Sequence, residues 1–156
     1  MRSRIQILAV STVFVTLVAF AASAGATTTW GLRAGFSSNP DQFIVGGQAD
    51  FAPIAKNLYI MPSALAGFGD NAFTLSFDGD LQYRFVTKSS VHPYAGGGFS
   101  LYWVNLDNGG SDTNFGANLD GGIFFGKTAR PMFVDVKAGI TDEVPDWKFA
   151  FGIMFP

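Results

Sequence analysis

The segment Trp147-Lys148-Phe149-Ala150-Phe151-Gly152-Ile153-Met154-Phe155 sets a large apolar residue at every second position, with mostly small or charged residues between. A period of two describes a β-strand with two unlike faces. Alternation of this kind, bounded by turn residues, recurs along most of the chain and predicts strands near 28–37, 43–51, 58–68, 73–85, 93–104, 114–125, 132–140 and 147–155. In the clearest of these the apolar set is Trp30, Leu32, Ala34 and Phe36; Phe73, Leu75, Phe77, Leu81, Tyr83 and Phe85; Phe115, Ala117, Leu119, Ile123 and Phe125; and Met132, Val134, Val136, Ala138 and Ile140. Alternate positions hold Arg33, Asp78, Asp80, Gln82, Arg84, Asn118, Asp120, Asp135 and Lys137. The third strand fits least well, because Pro62 removes a ladder donor and both faces are apolar, so its register stays open.

An even number of strands with one face of Phe, Trp, Leu and Ile predicts an all-β, eight-stranded antiparallel up-and-down transmembrane β-barrel. Closure removes the unpaired edges that lipid cannot hydrate, and about ten tilted residues per strand cross the apolar band. On this reading Phe149, Phe151 and Ile153 face lipid while Lys148, Ala150 and Gly152 face the lumen. Two aromatic girdles are expected. Phe36, Phe43, Phe68, Phe73, Trp103, Phe115 and Trp147 form one, and Trp30, Phe51, Phe85, Phe125 and Phe155 the other. The competing architecture is a soluble lipocalin-like barrel with its apolar face inward around a ligand. It would turn a Gly- and Asp-rich face with few Lys or Glu toward water.

Charge sorts by the parity of the connections. Those after strands one, three, five and seven contain Asp41, Asp70, Asp107, Asp112, Asp142, Glu143 and Asp146 and no basic residue; those after strands two, four and six contain Lys56, Lys88, Lys127 and Arg130 and no acidic one. In an up-and-down meander these two groups lie at opposite ends, so the sorting supports the strand count.

The N-terminus reads as a secretory signal: Arg2 and Arg4, an apolar run from Ile5 to Ala21, then Ala22-Ser23-Ala24-Gly25-Ala26. Cleavage is expected after Ala24 or Ala26, which divides the chain into a signal peptide, 1–26, and a barrel, 27–156. An uncleaved helix is the other reading of the same run. Removing Arg2 and Arg4 from the 10 basic residues leaves 8 against 12 acidic ones, a net charge of −4 that argues against a nucleic-acid partner. There is no Cys to form disulfides. The charged fraction of 14% is low beside the quarter or so usual in soluble domains.

At Pro93-Tyr94-Ala95-Gly96-Gly97-Gly98-Phe99-Ser100-Leu101 and Thr113-Asn114-Phe115-Gly116-Ala117-Asn118-Leu119-Asp120-Gly121-Gly122-Ile123-Phe124-Phe125 the chain resembles the outer-membrane β-barrel family of OmpA-like and OmpX-like proteins. The resemblance extends loosely over 27–156. It implies an integral protein of the Gram-negative outer membrane, surrounded by lipid and lipopolysaccharide, inserted by the barrel-assembly machinery and monomeric. It does not select an activity, since the fold hosts structural barrels, adhesins and lipid-modifying enzymes. Two features depart from the family pattern: Pro156 follows the terminal aromatic Phe155, and the longest connection, 105–113, is short for an adhesin.

Candidate chemistry is sparse. Gly121-Gly122-Ile123-Phe124-Phe125-Gly126-Lys127-Thr128 matches the pattern of a phosphate-binding loop, but that mechanism needs a turn opening onto a helix, and two Phe and Pro131 contradict it. His92 is the only histidine, which leaves one base for any metal cluster or nucleophilic triad, and it falls in a turn beside Lys88. Asp107-Asn108-Gly109-Gly110-Ser111-Asp112 offers oxygens without the spacing of a calcium loop. The acidic rim as a whole could share divalent cations with lipopolysaccharide phosphates. No cofactor, metal or catalytic residue is expected.

The most informative polar group is inward-facing: Arg33, Arg84, Lys137 and Lys148 against Asp50, Asp78, Asp80, Asp120 and Asp135. Buried charges persist when paired, and an eight-stranded interior is just wide enough for side chains, so a packed ionic network is expected. Inward Gly46, Gly96, Gly98, Gly116 and Gly122 leave space, and a narrow water-filled passage is the alternative. The function expected is a non-enzymatic structural or surface-interaction role; a small channel or a lipid-modifying enzyme is the alternative.

Overall fold

The computed structural model describes residues 29–69, 72–106, 109–126 and 129–156. The signal-peptide reading, Asp70, Asp107 and Lys127 therefore lie outside the described residues. Eight strands follow one another in sequence: β1 (Thr29–Ser38), β2 (Gln42–Asp50), β3 (Leu58–Gly69), β4 (Ala72–Arg84), β5 (Val91–Leu106), β6 (Ser111–Phe125), β7 (Met132–Gly139) and β8 (Trp147–Phe155). Each pairs antiparallel with the next, and β8 returns to β1 from Trp30↔Phe155 to Ser38↔Trp147, closing the barrel. The up-and-down order places the connections after odd and even strands at opposite ends, called here the acidic and the basic end.

Alternation decides which side chains enter the lumen. In β8, Trp147, Phe149 and Phe151 are exposed while Lys148, Ala150, Gly152 and Met154 are buried. In β1 the outward set is Trp30, Leu32 and Phe36, and Arg33 is buried. A wall with aromatics outside and Arg, Lys, Asp and Gln inside has the polarity of a soluble protein reversed, as lipid requires.

Pro62 shapes β3 without breaking it. The ladder to β2 ends at Gln48↔Ser63, one residue before Pro62, which has no N–H to donate. The ladder to β4 runs on through Pro62↔Gly79. The register left open by the sequence is thereby set: Met61, Ser63 and Leu65 turn inward.

The largest departure from expectation is the hairpin of β5 and β6. These strands have 16 and 15 residues, and they pair as far as Asn105↔Ser111. What reads as a nine-residue loop is thus mostly ladder, and Asp112 sits within β6 opposite Val104. Turn-forming residues such as Ser111 and Asp112 conceal strand when cross-strand pairing supplies the order that propensity does not. Since β6 meets β7 only from Asn118↔Gly139, the segment from Ser111 to Ala117 projects beyond β7 at the acidic end.

Candidate functional site in the barrel lumen

Strand parity brings most of the expected ionic residues into one network. Asp78 of β4 accepts from Lys137 of β7 at 3.0 Å and from Lys148 of β8 at 3.2 Å. Lys137 and Lys148 are direct cross-strand partners on the same inward face, an arrangement that destabilises a sheet when the charges are alike. Their common carboxylate turns that repulsion into a bridge. Lys137 also donates to Asp80, and Lys148 to Ser76 Oγ at 3.2 Å. Arg33 of β1 pairs with Asp135 of β7 and donates to Gln48 at 3.2 Å; Tyr94 Oη donates to the other Asp135 oxygen at 2.8 Å. Asp120 accepts from Gln82 Nε2 at 2.6 Å, and no ion pair is formed with it among the described residues.

The inward glycines are filled by their neighbours. A Cβ on Gly122 would lie 2.7 Å from Tyr94 Cζ, and one on Gly98 would lie 2.6 Å from Asp80 Oδ1. Glycine here is what lets a large or charged side chain of the adjacent strand lie flat along the wall.

Both ends of the network are covered. Toward the basic end Tyr94, Phe124, Phe133 and Met154 form a buried apolar layer, with ring centroids 5.1 Å apart for Tyr94 and Phe124 and 5.7 Å for Phe124 and Phe133. Toward the acidic end the connection after β7 folds back into the mouth. Val144 and Pro145 are buried there, Thr141 Oγ1 accepts from the Ala117 amide at 3.2 Å, and a Cβ on Gly116 would lie 2.7 Å from Val144 Cγ1.

Asp50 and Arg84 stand apart. Their 2.7 Å pair lies below the apolar layer, at the basic mouth, where the Arg84 guanidinium sits 4.0 Å over Tyr59 and 4.5 Å over Phe124. They line an open cavity of about 570 Å³ that also includes Ser90, His92 and Met154. The expected set of nine charged residues is thus split between a sealed network and a vestibule. Ser90, His92 and Asp50 share that cavity, which spacing in the sequence does not suggest. Even so, His92 Nδ1 lies against Thr87 Oγ1 at 3.3 Å, and Asp50 is engaged by Arg84.

Sequence reasoning restricted to formal charge overlooked Gln48, Ser76, Tyr94 and the aromatic plug. The parity that places Asp80 inward also places Gln82 there, and that of Asp135 places Phe133; an inward aromatic is indistinguishable by type from a lipid-facing one. Val144 gave no signal. Of the other candidates, Gly121–Phe125 is strand with Phe124 buried, and among the described residues no helix follows it. Asp112 is exposed and accepts from the Thr113 amide at 2.8 Å.

The girdle residues lie on the outer wall at the two ends. At the acidic end Phe36 meets Phe43 at 5.7 Å, Phe68 meets Phe73 at 5.2 Å, Phe73 meets Trp103 at 6.1 Å, and Phe115 and Trp147 are exposed. At the basic end Trp30 stacks on Phe155 at 4.6 Å and Phe85 meets Tyr83 at 5.2 Å. Phe51 lies just past β2, and Phe125 closes β6.

The reversed polarity and the closed antiparallel meander define an integral β-barrel of the outer-membrane type. Solved structures share this fold at low sequence identity. The N-terminal β-barrel domain of Pseudomonas aeruginosa OprF is 15% identical with a TM-score of 0.67, covering 83% of this chain and 98% of that one. Neisserial surface protein A is 16% identical with a TM-score of 0.66, covering 84% and 98%. The outer membrane enzyme PagL is 16% identical with a TM-score of 0.52, covering 83% and 99%. No family model and no curated protein matches the chain.

Proposed function

We propose that this protein is a non-enzymatic, non-conducting outer-membrane barrel with a structural or surface-interaction role. The observation that carries this reading is the lumen: its ion pairs are sealed between the Tyr94, Phe124, Phe133 and Met154 layer and the infolded Val144. A passage for solutes would have to break both layers and part buried charges, which is costly in low dielectric. The acidic end faces outward, with the N-terminus in the periplasm, and its exposed Asp41, Asp142, Glu143 and Asp146 share divalent cations with lipopolysaccharide phosphates. The chain works as a monomer and reaches the membrane through the barrel-assembly machinery.

The lipid-modifying alternative draws on one observation, the meeting of Ser90, His92 and Asp50 at one cavity, and it requires the basic end, not the acidic one, to face outward. Reconstitution in planar bilayers with a parallel mass measurement of lipid A separates the readings. Silent bilayers and unaltered lipid A are expected. Stable conductance would establish a channel, and changed acylation an enzyme.

A further inference from the structure

Among the described residues the sealed part of the lumen holds four carboxylates, Asp78, Asp80, Asp120 and Asp135, and three cations, Arg33, Lys137 and Lys148, each of these residues at most 5% exposed. Asp50 and Arg84 balance each other outside it. The surplus is one negative charge in the interior of a membrane-embedded barrel, where an uncompensated ion is strongly disfavoured.

The surplus has an address. Asp120 receives only the Gln82 amide, and Asp80 meets Lys137 through Oδ2. Among the buried side-chain atoms left without a partner, which also include the Ser38, Ser63 and Tyr102 hydroxyls and the Nε of Arg33 and Arg84, four are carboxylate or amide oxygens: Asp80 Oδ1, Asp120 Oδ1, Gln82 Oε1 and Asn118 Oδ1. The Asn118 oxygen is independent of the acidic pair, since that amide donates its Nδ2 to Ser100 Oγ at 3.0 Å and leaves Oδ1 without a donor. Gln82 is fully buried, and donation of its Nε2 to Asp120 settles which amide atom is the oxygen. Register gathers all four along one stretch of β5. Asp80 lies opposite Gly98, which lies opposite Asn118; Gln82 lies opposite Gly96, which lies opposite Asp120. The two glycines bare the wall between them, and a Cβ on either would lie 2.6 Å from an unpartnered carboxylate oxygen.

We infer that this oxygen cluster on β4 and β6, astride Gly96 and Gly98, binds one monovalent alkali cation. A proton gives one donor to one acceptor and leaves the remaining oxygens unsatisfied. An alkali ion takes several carboxylate and amide oxygens at once, as in oxygen-lined ion sites generally. A divalent ion would convert the surplus of one negative charge into one positive. The ion enters during folding, because the aromatic layer and Val144 close the lumen afterwards. The inference rests on the closed-lumen reading.

The test refolds the full chain into detergent micelles in sodium, potassium or choline chloride at equal ionic strength and neutral pH. The unfolding midpoint is expected to be higher in sodium or potassium than in choline, and to rise with the logarithm of alkali concentration. Asp120→Asn removes the surplus charge and keeps an oxygen for Gln82, so it should lose the cation dependence and unfold later than wild type in choline. Equal wild-type midpoints in all three salts would overturn the inference and assign the balancing charge to a proton. Should Asp120→Asn fail to fold, the sodium content of folded wild type decides: about one sodium per chain kept through exhaustive desalting into choline chloride, and released on urea unfolding, supports the site, and none kept overturns it. Failure of the closed-lumen reading would show separately, as conductance in planar bilayers.

Discussion

Lys137 and Arg84 are both cations held by aspartates on the inner face of the same barrel, but their surroundings differ. Lys137 sits in the sealed network between two carboxylates, beside a second lysine that shares one of them. Arg84 has one carboxylate and two aromatic faces, and it borders an open cavity. In the network Asp78 and Lys137 each hold two opposite charges reached from other strands, so removing either disturbs more than one pair. At the vestibule, water can replace a lost partner. Identical chemistry therefore holds the barrel together in one place and only decorates its mouth in the other.

The largest effect is expected from Asp78→Ala, which leaves Lys137 and Lys148 opposed with no common partner. Breaking a buried pair typically costs about 3–5 kcal/mol, and urea unfolding in micelles followed by tryptophan fluorescence should show at least that loss. A cost under about 1 kcal/mol would mean that the network contributes little and that the contrast drawn with the vestibule is mistaken.

The lipid-facing wall offers an intermediate case. Arg at position 151, near mid-membrane, should cost about 2–4 kcal/mol, whereas Arg at the interfacial position 147 should cost about 0–1 kcal/mol. Equal sensitivity at the two depths, or water-like exposure of a spin label at 151, would contradict the face assignment.

Arg84→Ala should cost about 1 kcal/mol, the sum of a partly hydrated ion pair and its stacking, and the loss should shrink as salt is added. A cost matching that of Asp78→Ala would show the vestibule to be as closed as the network.

Insertions at the two ends should hardly affect stability while reporting orientation. An epitope between Gly109 and Gly110, at the tip of the β5–β6 hairpin, should be reached by antibody on intact cells, and one at Lys88-Ser89 should not. Detection of the second tag alone would place the vestibule, not the Val144 cap, at the cell surface.

Alternation by itself determined the strands, their number and the side of the wall on which each residue lies, because a period of two is a local property of extended backbone. Charge parity added the up-and-down order, since neighbouring connections must lie at opposite ends. Which aspartate meets which lysine depended on register between strands far apart in sequence: Asp78 and Lys148 are 70 residues apart, and nothing in either segment announces the other. The split between Asp50 with Arg84 and the remaining charges came from the aromatic plug, whose residues look lipid-facing by type. The closed mouth at the acidic end came from Val144, carried by a connection with no periodic pattern to read. Only the closed barrel set four carboxylates and three cations in one buried volume, where a charge left over has to be answered.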